Sequence, residues 1–181
     1  MTTVPLSGGT AGVVRPVRPS ITGLVTASLA LERRAEASVK AVLQRWSVPA
    51  LRVALGTVFA VFGALKLIPG ASPVEQLVMQ TWEKLTFGLV GGQAAMIATA
   101  AIEVAAGVLL ILGGAFARVG LIVVAFAFVG ILSPIVLLPQ EVFGAAGPTL
   151  TGQYIFKNVV LIAAVLVVAS AALRGPRDAR D

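Results

Sequence analysis

Residues 93–112 read QAAMIATAAIEVAAGVLLIL, and this stretch decides the fold. It is apolar apart from Gln93, Thr99 and Glu103. A helix of ~20 such residues, rising ~1.5 Å each, crosses the ~30 Å hydrocarbon core of a bilayer. The stretch ends at Gly113-Gly114, a helix-stop signal. Three further blocks of the same kind surround it. One runs from Val48 to Ile68 and stops at Pro69-Gly70; another runs from Val119 to Leu138, with Pro134 inside it and Pro139 after it. The last runs from Gln153 to Leu173, before Gly175-Pro176. Nothing alternates with period two over the length of a barrel strand, which excludes a transmembrane β-barrel. The expected fold class is therefore all-α: a polytopic membrane four-helix bundle over residues 48–173, its neighbouring helices paired antiparallel by short connections.

Composition agrees. Of 181 residues, 57% are hydrophobic and 12% charged, whereas a soluble domain has about 45–50% and about 25%. The chain has no Cys and no His. That excludes disulfides, thiol redox chemistry, iron–sulfur clusters, His-ligated haem and the usual neutral-pH general base. A formal charge of +6 on so apolar a chain is read as membrane orientation, with no nucleic-acid partner. Arg15, Arg18, Arg33, Arg34, Lys40 and Arg45 precede the first span, Arg118 lies between the second and third, and Arg174, Arg177 and Arg180 follow the fourth. The other two loops carry Glu75, Glu83, Lys84 and Glu141. The positive-inside bias then puts both termini in the cytoplasm.

Residues 1–20, rich in Gly, Pro, Ser and Thr, read as a disordered cytoplasmic tail, and 174–181 as a second tail. Residues 21–47 read as an amphipathic juxtamembrane helix. Leu31, Ala35, Val39, Val42 and Trp46 step by 4, 4, 3 and 4 onto one face, which would lie on the lipid surface with Trp46 at headgroup level. Val74, Leu77, Val78, Trp82, Leu85 and Val90 give the loop between the first two spans a similar pattern, fitting an interfacial connector or a cap.

Charges inside spans are costly and mark candidate sites. Glu103 lies about ten residues from either end of its span, among Ala100, Ala101, Ala105, Ala106 and Gly107, small residues that let another helix come close. In the first span, Arg52, Gly56, Phe59, Gly63 and Lys66 step by 4, 3, 4 and 3, a stripe that should face the bundle. Arg52 sits where a long cation snorkels to the cytoplasmic side. The fourth span opens with Gln153, Tyr154, Lys157 and Asn158. Counted at ~1.5 Å per residue, Glu103 lies ~10–15 Å below the outer boundary and each Lys only ~3–6 Å. These heights favour a water-filled polar pocket open outward, lined by Lys66, Glu103, Tyr154, Lys157 and Asn158, over a tight three-way salt bridge. The cluster serves either a ligand or the fold; catalytic residues and a metal site are not indicated.

The sequences G-A-L-K-L (Gly63 to Leu67), E-V-A-A-G-V-L-L-I-L-G (Glu103 to Gly113) and T-G-Q-Y-I-F-K-N-V-V-L-I-A-A (Thr151 to Ala164) resemble the DoxX-like family of small four-helix bacterial membrane proteins. The resemblance spans about Leu51 to Ala172. It implies a multi-pass protein of the bacterial inner membrane. It also implies a link to quinone-dependent redox or oxidative-stress systems, as a membrane subunit of an oxidoreductase. A non-covalently bound quinone is the implied cofactor; without His or Cys the chain would hold it but not carry electrons on metal, haem or thiol. Beside this stands a non-catalytic membrane scaffold that recruits a soluble or membrane protein partner through its basic N-terminal segment. Besides the lipid bilayer, a homo-oligomeric assembly is left open.

Overall fold

A computed structural model describes residues 21–173, with side chains from residue 29 onward. The two tails expected at 1–20 and 174–181 lie outside the described residues. The described residues are mostly helical: α1 (Ile21–Leu65), α2 (Glu75–Leu85), α3 (Gly92–Leu112), α4 (Gly114–Leu132), α5 (Pro134–Leu137), α6 (Pro139–Val142), α7 (Leu150–Phe156) and α8 (Asn158–Leu173). A two-residue antiparallel ribbon, β1 (Phe143–Gly144) and β2 (Gly147–Pro148), lies between α6 and α7. Among the described residues, four segments are long and apolar enough to cross a membrane: Leu29–Leu65, Gly92–Leu112, Gly114–Leu137 and Leu150–Leu173.

The chain divides into two compact units between Val42 and Leu43. In the first, every described side chain is exposed, as are those on to residue 47. The amphipathic segment and the first span, expected as two elements, belong to one helix, α1, that runs through Pro49. Proline there removes the backbone bond to the Arg45 carbonyl, and the helical ladder on either side carries the segment through.

In the second unit, α1 packs closely on α3. A Cβ placed on Gly56 would lie 2.7 Å from the Gly107 carbonyl oxygen, and one on Gly63 would lie 2.8 Å from Glu103 Cβ. Low positions of α1 thus meet high positions of α3, so the two run antiparallel. Their backbones touch because both sides offer hydrogen in place of a side chain. A single residue, Gly113, turns α3 into α4. Gly113 and Gly114 have φ of 77° and 55°, left-handed values that a glycine adopts without a Cβ clash. The chain folds straight back, and Gly120 of α4 packs on Leu109 and Leu110.

Leu55 and Phe59 of α1, Ala106 and Leu110 of α3, Leu121, Val124 and Phe128 of α4, and Val165 and Val168 of α8 form one buried apolar cluster. Phe59 and Phe128 meet edge to face, ring centroids 5.7 Å apart. A second cluster joins Leu77 of α2 to Leu138, Val142 of α6 and Ile155 of α7 at the end where α1 finishes and α3 begins. Pro134 breaks the third span at Ser133 into α4 and α5, since proline cannot donate into the ladder. Thr149 caps α7 by accepting from the Gly152 N–H at 3.0 Å.

Candidate functional site

Glu103 is carried on α3 between Gly107, one turn on, and Thr99, one turn back. Gly63 brings α1 against its Cβ. Lys66 is the first residue beyond α1, one turn past Gly63 on the same face. Its Nζ donates to Glu103 Oε2 at 2.5 Å, and more distantly to the Phe62 carbonyl at 3.5 Å. Both residues are buried, at 7% and 5% exposure. Among the described residues this is the one ion pair.

The helix counts behind the height mismatch leave out side-chain direction. Cα–Cβ bonds of a helix tilt toward its N-terminus, so Lys66 leans back along α1 toward mid-span, as its contact with the Phe62 carbonyl one turn earlier shows. A cation near a span boundary usually extends outward to water; here it extends inward to a carboxylate.

The remaining residues of the expected cluster form a separate group. Lys157 Nζ sits 3.8 Å from the centroid of the Tyr154 ring, a cation–π contact. Asn158 Nδ2 donates to the Tyr154 carbonyl at 3.0 Å. Among the described residues no ion pair or hydrogen bond joins Tyr154, Lys157 or Asn158 to Lys66 or Glu103. Two open clefts, of about 600 and 620 Å³, lie elsewhere. The first is lined by Gln80, Glu83, Lys84, Phe87, Gln140 and Glu141, the second by Pro49, Arg52, Gly114 and Arg118 among others. Neither includes any of the five expected residues.

Arg52 has a role that its place in the sequence does not reveal. Its guanidinium donates to the carbonyl of Leu110 and, at 3.0 Å, to that of Ile111, and it packs over Gly113. These are among the last carbonyls of α3, which lack partners in their own helix. Arg118 Nε does the same for Ala172 near the end of α8, at 3.2 Å. Two cations at the end where both helices finish also complement the negative ends of their dipoles. At the opposite end, Trp82 Nε1 donates to Thr99 Oγ1 at 2.8 Å and fixes α2 against α3. An aromatic four residues before a helix stop gives no sequence cue for this partner, 17 residues away.

Chemically, the site offers an ammonium and a carboxylate held together, flanked by glycine, alanine and backbone. Among the described residues no group of three His, Cys, Asp or Glu side chains stands where a metal ion would need them. Comparison with models of protein families, with curated proteins and with solved structures gives no match.

Proposed function

We propose that this chain is an integral membrane protein of the DoxX-like type. Its spanning helices form a four-helix bundle in a bacterial inner membrane, with both termini cytoplasmic, and it works as a non-catalytic platform. In this reading α1 is both the first span and the docking arm. The exposed residues 29–47 offer Leu31, Val39, Val42 and Trp46 beside Arg33, Arg34, Lys40 and Arg45 to the membrane surface and to a soluble partner.

The observation that carries this reading is the Lys66–Glu103 pair. The two side chains best suited to hold a polar ligand inside the membrane spend their charge on each other, at 2.5 Å, in a contact lined by backbone. A buried pair of this kind fastens two helices in one register. The quinone-linked alternative draws on one feature: among the described residues the pair uses Oε2 of Glu103, leaving Oε1 for a donor.

The two readings separate in one preparation. The full chain is extracted in mild detergent, and its quinone content and co-purifying proteins are quantified, for the native protein and for Glu103→Gln. The platform reading expects no stoichiometric quinone in either. It also expects a protein partner that is retained by Glu103→Gln and lost when Arg33, Arg34, Lys40 and Arg45 are changed to Gln. About one quinone per chain, absent from a folded Glu103→Gln protein, would overturn it.

A further inference from the structure

The turn that ends α2 carries a side chain in a place that opposes it. Phe87 has φ of 54°, the only non-glycine residue among those described in the left-handed region. For a bulky residue that conformation is a true outlier. The turn around it is well made. Gly88 N donates to the Glu83 carbonyl at 2.8 Å and Phe87 N to the Lys84 carbonyl at 3.5 Å, the paired bonds of a Schellman motif closing α2. Thr86 Oγ1 ties the next strand of chain by accepting from Val90 N at 2.9 Å. Phe87 thus occupies the position that usually belongs to glycine, and the residue is 95% exposed. Among the described residues, none covers the ring to offset the backbone strain.

Leu89, two residues on, is 87% exposed, and Leu85, two residues before, 47%. Leu67 and Ile68, just past α1 at the same end, are 51% and 57% exposed. The level of Leu85, Phe87 and Leu89 is set by α2. Thr99, which receives the Trp82 bond, lies ~10 Å along α3 from Gly92 at ~1.5 Å per residue. Hence α2 lies beside the first turns of a spanning helix, and the loop after it stands at that helix's mouth. Phe87 also forms one wall of the cleft whose polar members are Gln80, Glu83, Lys84, Gln140 and Glu141. Wet and apolar surfaces meet at this residue.

We infer that Phe87 and Leu89 form a rigid membrane-insertion tip, seated at the headgroup–acyl boundary of the leaflet where α3 begins, with the lipid surface as its partner. Interfacial segments bury Phe and Leu side chains at that depth, and the Schellman turn holds Phe87 in place. The inference stands apart from the platform reading and holds whichever way that reading is decided.

The absence of cysteine makes the test clean. A nitroxide on Leu89→Cys, in the full chain reconstituted in phosphatidylcholine vesicles, is compared by power saturation with labels at Ile122→Cys, 71% exposed on α4, and at Gln140→Cys beside the polar cleft. The position-89 label should favour oxygen over a water-soluble nickel chelate, as at 122. Nickel access equal to that at 140 puts the loop in water and overturns the inference. Low access to both reagents means a protein covers the tip and overturns it too. Adding Phe87→Ser should move the oxygen-to-nickel ratio at 89 severalfold toward that at 140; an unchanged ratio removes Phe87 as an anchor. Phe87→Gly should shift the ratio similarly while melting in detergent no lower than the native chain, because glycine relieves the turn. A lower melting temperature with an unchanged ratio makes Phe87 a packing residue and refutes the tip.

Discussion

Replacing Lys66 with Met leaves Glu103 inside the membrane-spanning part of the protein with its counter-ion removed. The lost contact is 2.5 Å long between side chains only 8% and 7% exposed, so solvent screens it little. Removing one partner of a buried pair costs about 3–5 kcal/mol. A chain of this length shifts its melting point by about 2–4 °C per kcal/mol, so Lys66→Met should lower it by roughly 6–20 °C. The converse change, Glu103→Leu, should cost less. Lys66 lies one residue beyond the end of α1 and can swing its ammonium outward to water once the carboxylate is gone. The double variant Lys66→Met/Glu103→Leu should recover most of the loss, since apolar replacement of a whole buried pair is often neutral or stabilising. The assay is thermal unfolding in detergent followed by circular dichroism for all four proteins. Singles within about 2 °C of the native chain, or a double no better than the worse single, would show that the pair does not fasten α1 to α3.

Gly107→Leu would drive a side chain into Ala60, whose Cβ would lie 2.8 Å from the new Cβ; a loss of at least about 1–3 kcal/mol is expected in the same melt. Arg52→Ala leaves the carbonyls of Leu110 and Ile111 without their donor and should cost about 1–3 kcal/mol, whereas Arg52→Lys should restore part of it. For orientation, single cysteines at Glu141 and Ala145, both exposed, should react in intact cells with a membrane-impermeant thiol reagent, and one at Ser38 should not; reversed labelling refutes cytoplasmic termini. A peptide of residues 21–47 should gain helicity on anionic vesicles and lose it as salt rises, and an unchanged circular dichroism spectrum on adding vesicles would remove the lipid-surface role of the Leu31–Trp46 face.

The spans were legible because hydrocarbon thickness imposes a length, and Gly113-Gly114 and Pro134 punctuate the chain at the residues where the helices stop or break. The stripe through Gly56 and Gly63 was legible for the same kind of reason: period and side-chain size together select a face. Elements that rest on a partner elsewhere in the chain were not. The boundary expected between residues 47 and 48 does not interrupt the helix, since α1 runs from Ile21 to Leu65. Arg52 sat where a cation would snorkel, yet its partners are carbonyls of another helix. Lys66 and Lys157 were equivalent in sequence, each near the outer end of a span. Only Lys66 directly follows a helix whose glycine meets Glu103, and Lys157 turns to the ring three residues before it. The small ribbon at 143–148 has no periodicity to announce it, being two residues on each side.

Lys66 and Glu103 are 37 residues apart in sequence, and chains are made from the N-terminus. The first span therefore leaves the ribosome ahead of the span that carries its carboxylate partner. At that moment the ammonium has one low-cost direction, outward along its flexible stem to the aqueous boundary. When the second span follows and Gly107 settles against Ala60, the same side chain must leave water and turn back toward mid-membrane. The turn couples lateral association of the two helices to a reversal of one side chain. A first span that associates with the wrong neighbour finds no carboxylate at that depth, so its lysine stays in water. Among the described residues no other span offers Lys66 a carboxylate, so the pair forms only when α3 lies against α1.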